Sequence, residues 1–139
     1  MEQHLTKLTI AEPIAGWSSL KLDNDVYEVS YSTNAGVDFL KTVYKNYIDK
    51  KNGNIFAMIF DAEEVGCFYL ILCNRYLTVC SADDNFVRHY LFDSAKEIMR
   101  QVYASIAPYA DAWAHFFYDE NKNSIEEINT LLNLIKEEL

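Results

Sequence analysis

Three segments in the middle of the chain carry the clearest pattern of apolar positions. They cover residues 55–61, 67–73 and 76–80, and the first two are almost unbroken apolar runs. The links between them, AEEVG and NR, are short and polar, which suits antiparallel neighbours that need few residues to turn. The pattern predicts a three-strand antiparallel meander. Because the first two strands offer no polar face to water, it also predicts that both faces of the sheet are covered.

Two segments before the meander have the pattern of a hairpin. Trp17–Leu22 and residues 26–31 flank a turn-forming stretch at Asp23, and the second segment alternates between apolar and polar positions. We expect this hairpin to lie at the margin of the same sheet. Residues 4–12 alternate in part, which predicts either an edge strand or a short helix before Pro13.

Helical periodicity appears on both sides of the meander. In residues 35–51, apolar positions such as Leu40 and Val43 recur every three or four residues, and Gly53 suits the turn after the last carbonyls. The final segment opens with Ser124 and Glu127 in capping-box spacing and continues as an apolar stripe. Both patterns predict helices packed on the sheet.

Residues 84–107 allow two interpretations. Apolar positions keep a helical period throughout, so one helix can begin after the SADD sequence that ends at Asp84. Alternatively, a turn precedes a helix that begins at Ser94, where Glu97 completes a second capping box, and Pro108 ends the helix in both cases. We favour the later start. Residues 109–118 fit either a helix or a strand.

The predicted fold is thus α+β, with helices on the faces of an antiparallel sheet built around the meander 55–61, 67–73 and 76–80. A chain of 139 residues with 50% apolar residues, four Gly and two Pro suits a single globular domain, 1–139. The start of the chain lacks the basic and apolar regions of a signal peptide, and no apolar run approaches the ~20 residues of a membrane span. We therefore expect a cytoplasmic protein.

The net charge restricts the class of partner. The chain has 21 Asp and Glu against 12 Lys and Arg, a formal charge of −9. Nucleic acids and anionic membranes would be repelled, so neither is expected as a partner. The charge favours a basic protein instead.

Neither cysteines nor histidines form a recognisable catalytic or metal-binding pattern. The three cysteines, Cys67, Cys73 and Cys80, have no CxxC spacing, and we expect them to be structural, buried thiols. The three histidines, His4, His89 and His115, have no i, i+4 pair. We expect no metal, no cofactor and no enzymatic activity. A hydrolase that uses one cysteine with His89 or His115 is the catalytic alternative.

Acidic residues are grouped at the ends of the predicted strands and of the aromatic segment. Because the first and third strands of a meander run in the same direction, the acids that follow them should emerge at the same end of the sheet. Ordinary turns and helix caps explain such residues, but together they also predict a negatively charged docking surface. The candidate partner-binding residues are Asp61, Glu63, Glu64, Asp83, Asp84, Asp119 and Glu120.

Aromatic side chains extend this hypothesis, because Tyr and Trp dominate protein interfaces. The chain has ten Tyr, eight Phe and two Trp, most of which must be core. We expect partial exposure at Trp17, Tyr76, Trp113 and Tyr118.

The stretches WSSLKLDNDVYEVSYST and FDAEEVGCFYLILCNRYLTV, in a small acidic chain, resemble the immunity proteins of bacterial contact-dependent and polymorphic toxin systems. The resemblance implies a nuclease inhibitor that binds a cognate basic toxin in a one-to-one complex. A self-associating adaptor or scaffold subunit, which dimerises through a sheet edge or the last helix, is the alternative; a homo-oligomer is not predicted.

Overall fold

The computed structural model describes residues 3–14, 17–30, 35–53, 56–61, 67–81, 85–114 and 123–139, which form seven strands and four helices. The strands are β1 (Leu8–Ile10), β2 (Trp17–Leu22), β3 (Asp25–Ser30), β4 (Phe56–Asp61), β5 (Cys67–Cys73), β6 (Tyr76–Ser81) and β7 (Phe86–Leu91). The helices are α1 (Ala35–Lys51), α2 (Ala95–Ile106), α3 (Ala110–Ala114) and α4 (Asn123–Glu137), and a 3₁₀ turn, Ala107–Tyr109, joins α2 to α3.

The predicted meander is present as β4, β5 and β6, and the α+β class is confirmed. A fourth strand, β7, pairs antiparallel with β6 from Tyr76↔Leu91 to Ser81↔Phe86. The interpretation of one helix from Asp84 is therefore wrong. Residues 86–91 satisfy a helical period, but as a strand they pair with the backbone of β6 along its whole length, and such non-local pairing overrides the local pattern.

The predicted hairpin is also present, but it does not lie at the margin of the meander. Strands β2 and β3 join β1 in a separate antiparallel sheet of order β1-β2-β3. The alternation of apolar positions indicates that β2 and β3 pair with each other, but it does not indicate which sheet the pair joins. Residues 4–12 thus supply an edge strand, the first of the two alternatives.

Asp23 links β1 to the hairpin turn. It has a left-handed φ of 56°, a conformation that Asp and Asn tolerate better than most residues. The Lys7 N–H donates to Asp23 Oδ1 at 3.0 Å, and the Asp23 N–H donates to the Lys7 carbonyl at 2.9 Å. The bond from the Lys7 amide lowers the pKa of the Asp23 carboxyl below its usual value, because it stabilises the charged form.

The helices bury the apolar stripes that predicted them. In α1, Leu40 and Val43 are 0% and 2% exposed, and α1 packs against β4 and α4. Helix α2 begins after Ser94, whose Oγ accepts the Glu97 N–H at 3.1 Å, so the later start is confirmed. None of the helices in the described ranges is long and apolar enough to cross a membrane.

The ambiguous segment 109–118 is helical over α3, and its last four residues lie outside the described ranges. Trp113 in α3 is only 1% exposed and stacks on Phe39 at a ring-centroid distance of 5.6 Å. The expected exposure of Trp113 is therefore wrong, because α3 packs against α4 and faces the core. Trp17 is half-buried, Tyr76 is exposed as expected, and Tyr118 is not among the described residues.

Tyr27 connects the two sheets. Its ring lies edge-on to Phe68 of β5, with centroids 5.2 Å apart, and its hydroxyl is hydrogen-bonded to the Tyr90 hydroxyl of β7. Tyr90 in turn donates to Asp25 Oδ2 at 2.6 Å, which leaves Tyr27 as the donor to Tyr90. Arg88 completes the group, with its guanidinium 3.7 Å from Asp25 Oδ1. These contacts hold β3 against the inner face of the larger sheet.

We expect Tyr90→Phe to reduce stability and to change its dependence on alkaline pH. Burial, together with the bonds to Asp25 and Tyr27, raises the pKa of Tyr90 above its usual value. Above about pH 10 the unfolded chain therefore loses this proton before the folded chain does, so the free energy of unfolding falls as pH rises. At pH 7, loss of the hydroxyl should cost about 1–3 kcal/mol because Tyr27 loses its acceptor.

Urea unfolding at pH 7, 9 and 10.5 measures both effects. The variant should show a shallower fall of stability above pH 10 than the wild type. Tyr69→Phe, a change at an exposed tyrosine outside this group, should remain within about 0.5 kcal/mol of wild type at pH 7. Equal alkaline slopes for Tyr90→Phe and wild type would contradict the role given to this hydroxyl.

Candidate functional site: the open face of the larger sheet

The larger sheet is buried on one face and exposed on the other. In β5, Phe68 and Leu70 are 5% and 4% exposed, whereas the intervening Tyr69 and the following Ile71 are 38% and 41% exposed. The prediction that both faces are covered is therefore wrong. An uninterrupted apolar strand therefore does not require that both of its faces be covered by the same chain.

The register places one set of side chains of β4–β7 opposite the buried face, and we call the surface that they form the open face. Arg88 of β7 is exposed but pairs with the buried Val79, so it belongs to the other face. Its cross-strand rows follow from the register, for example Ile71↔Thr78↔His89 and Tyr69↔Cys80↔Val87. All of its described side chains are apolar, aromatic or uncharged polar groups, apart from one imidazole. They are Ala57, Tyr69, Ile71, Cys73, Tyr76, Thr78, Cys80, Val87, His89 and Leu91.

The outer face of the smaller sheet provides an internal comparison. Its exposed positions include Thr9, Lys21 and Glu28, which is the usual composition of a sheet surface in water. The open face has no Asp, Glu, Lys or Arg among its described side chains, although 24% of the chain is charged. Exposed apolar patches of this size are often functional, so the open face is the candidate interaction surface.

The open face includes three of the cysteine and histidine residues considered from the sequence, Cys73, Cys80 and His89. His89 Nδ1 lies 2.8 Å from Thr78 Oγ1, and Cys80 Sγ lies 3.9 Å from the Tyr69 carbonyl oxygen. Neither Cys73 nor Cys80 has its Sγ within hydrogen-bond distance of a described imidazole nitrogen; the side chain of Cys67 is not described, and His115 lies outside the described residues. Cys73 is exposed, so the expectation of buried thiols is wrong for that residue. Its exposure agrees with its position on the open face, which the described helices leave uncovered.

Metal-binding clusters are likewise not found among the described side chains, where no group of three or more His, Cys, Asp or Glu is arranged to hold an ion. The arrangement of the open face suits contact with another apolar surface.

The strand order bears on the predicted acidic surface. The Asp61↔Cys67 and Phe68↔Ser81 pairs place the end of β4 and the end of β6 at the same end of the sheet. The connections that leave from there contain four of the predicted acids, and Asp61 ends β4. The side chain of Asp61 is not described, and the other six candidates, Glu63, Glu64, Asp83, Asp84, Asp119 and Glu120, lie outside the described residues.

No family model, curated protein or solved structure matches this chain. The chemistry of the open face and the charge of the chain are therefore the features that bear on function.

The size of the open face indicates how much of a partner it can bind. Four strands of six or seven residues cover roughly 19 Å by 20 Å, or about 400 Å². A standard interface buries about 800 Å² on each partner. A stable complex must therefore extend beyond the open face to its rim, and one part of that rim is where β4 and β6 end.

Proposed function

We propose that this chain is a cytoplasmic, non-catalytic immunity protein that binds a cognate basic toxin domain in a one-to-one complex. The observation that carries the proposal is the open face, an exposed sheet surface without charged groups among its described side chains. Interfaces combine such an apolar centre with a polar rim. In this chain, the acidic residues of the β4–β5 and β6–β7 connections would supply the rim.

The net charge supports a basic partner over a second copy of the chain. Two copies at −9 each repel one another over a Debye length of about 8–10 Å at physiological salt, whereas a basic domain is attracted. Carboxylates on an inhibitor can occupy the places where a nuclease binds substrate phosphates. The resemblance to immunity proteins points to the same class of partner.

A self-associating subunit is the second candidate. It is favoured by one observation: the described side chains of the open face include no Asp, Glu, Lys or Arg. Such a surface can pack against another sheet at the usual ~10 Å spacing. Sedimentation velocity of the purified chain separates the two candidates. A monomer at micromolar concentration agrees with the immunity proposal, and a dimer that Val87→Asp disrupts would replace it.

The electrostatic part of the proposal is tested by the association rate with a candidate basic domain. We expect the neighbouring upstream gene to encode a large secreted protein that ends in such a domain. Between 50 mM and 500 mM salt, the association rate constant should fall about tenfold or more, while the dissociation rate changes little. Stopped-flow fluorescence measures both rates, and a salt-independent association rate would contradict this part of the proposal.

Two matched double variants locate the charges involved. Glu63→Gln with Glu64→Gln removes two charges from the β4–β5 connection, and Glu126→Gln with Glu137→Gln removes two from exposed positions of α4. Helix α4 packs against α1 and α3, on the covered side of the sheet. The first pair should slow association about three- to tenfold at low salt, more than the second pair does. Equal effects would show that only net charge matters.

A further inference from the structure

Strand β1 is an edge strand with hydrogen-bonding groups that point away from its sheet. The Asp23 N–H donates to the Lys7 carbonyl, and the Ala11 N–H donates to the Ser19 carbonyl, each at 2.9 Å. The backbone groups of Lys7 and Ala11, at the two ends of the β1 segment, therefore face β2. Because successive residues of an antiparallel strand alternate in direction, the amides of Thr6, Leu8 and Ile10 face the opposite side.

The outward groups of this segment are already partly satisfied by peptide-like oxygens. The Thr6 N–H donates to the Leu91 carbonyl at 2.8 Å, and the Leu8 N–H donates to Oε1 of Gln101 in α2 at 2.5 Å. Among the described residues, the Ile10 N–H has no hydrogen-bond partner. The Gln101 side-chain amide thus occupies the position where the carbonyl of a neighbouring strand would accept.

A groove of about 590 Å³ runs along this edge. Residues 6–10 form one side, and α2 with the turn after it forms the other. Ala104 and Ser105 have short side chains that fill little of the groove, and Tyr109, which is 43% exposed, adds an aromatic surface. The groove thus leaves open space beside the outward-facing amides of β1, where an added strand would lie about 4.8 Å from β1.

We propose that this groove binds an extended peptide segment of a partner protein, which adds to β1 as a fourth strand of the smaller sheet. Main-chain bonds to Leu8 and Ile10 would supply affinity, and the peptide would displace the Gln101 amide from Leu8. The described residues that line the groove include Lys7 and no Asp or Glu, in a chain of net charge −9. It therefore suits a segment of small or aliphatic residues with an acidic residue opposite Lys7.

A second copy of the chain fits this edge less well than a single segment does. Helix α2 lies along β1, so pairing of two β1 edges would bring the α2 helices of both copies together. A single extended segment has no such helix beside it. The site is also separate from the open face, which belongs to the other sheet, so this proposal goes beyond the proposed immunity function.

The experiment selects peptides and then tests where they bind. A library of random linear dodecapeptides is panned on the wild-type chain and, in parallel, on Ala104→Arg, which fills the groove from an exposed helix position. Thr42→Arg places the same side chain on an exposed position of α1 and serves as the matched control. We expect peptides that bind wild type and Thr42→Arg equally and bind Ala104→Arg at least about tenfold more weakly.

The selected peptide is then examined by NMR and by backbone N-methylation. Its addition should shift the Ile10 amide resonance and slow hydrogen exchange at Ile10. N-methylation at alternate residues should abolish binding in one register and leave it intact in the other, because only one edge of the peptide faces β1.

Gln101→Ala should tighten binding several-fold, since the competing side-chain amide is removed. Val87→Asp on the open face should leave peptide binding unchanged, whatever its effect on toxin binding.

Three results would overturn the proposal. In the first, every selected peptide binds Ala104→Arg as well as it binds the wild type. In the second, peptide binding leaves the Ile10 amide resonance unchanged. In the third, the wild type self-associates and Ala104→Arg abolishes that self-association. The last result would assign the groove to a second copy of the chain.

Discussion

Val87→Asp is expected to weaken binding of the proposed basic toxin domain by about 100-fold or more, which corresponds to roughly 3 kcal/mol. Val87 is 61% exposed on the open face, so the free protein should tolerate a carboxylate there. In the complex, the same carboxylate would lie in an apolar contact without a partner, and an unpaired charge in that environment is costly. Isothermal titration calorimetry with the candidate basic domain measures the dissociation constant.

The matched control is Val26→Asp. Val26 is 55% exposed on a strand of the smaller sheet, and the change adds the same charge to the same residue type. Both variants increase the negative charge of the chain, so long-range attraction to a basic partner is not reduced in either. A loss confined to Val87→Asp would therefore come from local contact and should appear mainly in the dissociation rate. Full binding by Val87→Asp would remove the open face from the proposed interface.

Leu40→Asp is expected to prevent folding. Leu40 is 0% exposed in α1, and a carboxylate there would have to be buried among apolar side chains or force α1 away from the sheet. The cost of several kcal/mol is comparable with the whole stability of a typical domain, about 5–15 kcal/mol. Circular dichroism and urea titration should show no cooperative transition, unless the carboxyl is protonated at low pH.

Thr42→Asp is the corresponding control for Leu40→Asp. Thr42 is two residues further along α1 and is exposed, so it adds the same charge to the same helix without burying it. The expected change in the free energy of unfolding is within about 0.5 kcal/mol. A similar loss of folding in both variants would mean that charge in α1, and not burial at Leu40, decides the outcome.

The strongest local signals in the sequence predicted the fold well. The two-residue link between Cys73 and Tyr76 forms a tight turn in which Asn74 takes a positive φ of 55°. The Ser94 and Glu97 spacing located the start of α2, because a cap depends only on residues of its own turn. The wrong helical interpretation of β7 arose where the deciding contact, pairing with β6, lies outside the segment.

The open face could not be predicted from hydrophobicity alone. An apolar run indicates that a strand avoids water, but it does not say whether the covering surface belongs to the same chain. A usable signal was present in β6, where Tyr76, Thr78 and Cys80 alternate with buried residues and none of the three is charged. The acidic residues were predicted to follow strands at one end of the sheet, and the order of β4, β5 and β6 agrees with that position for the strand ends.

The open face also has a consequence for the protein before any partner arrives. An apolar sheet surface left in water promotes sticking between identical molecules and slow precipitation at high concentration. Mutual repulsion among molecules that each carry nine excess negative charges opposes that clumping. The same acidity that is proposed to attract a basic partner would thus also keep the unbound protein dispersed in solution.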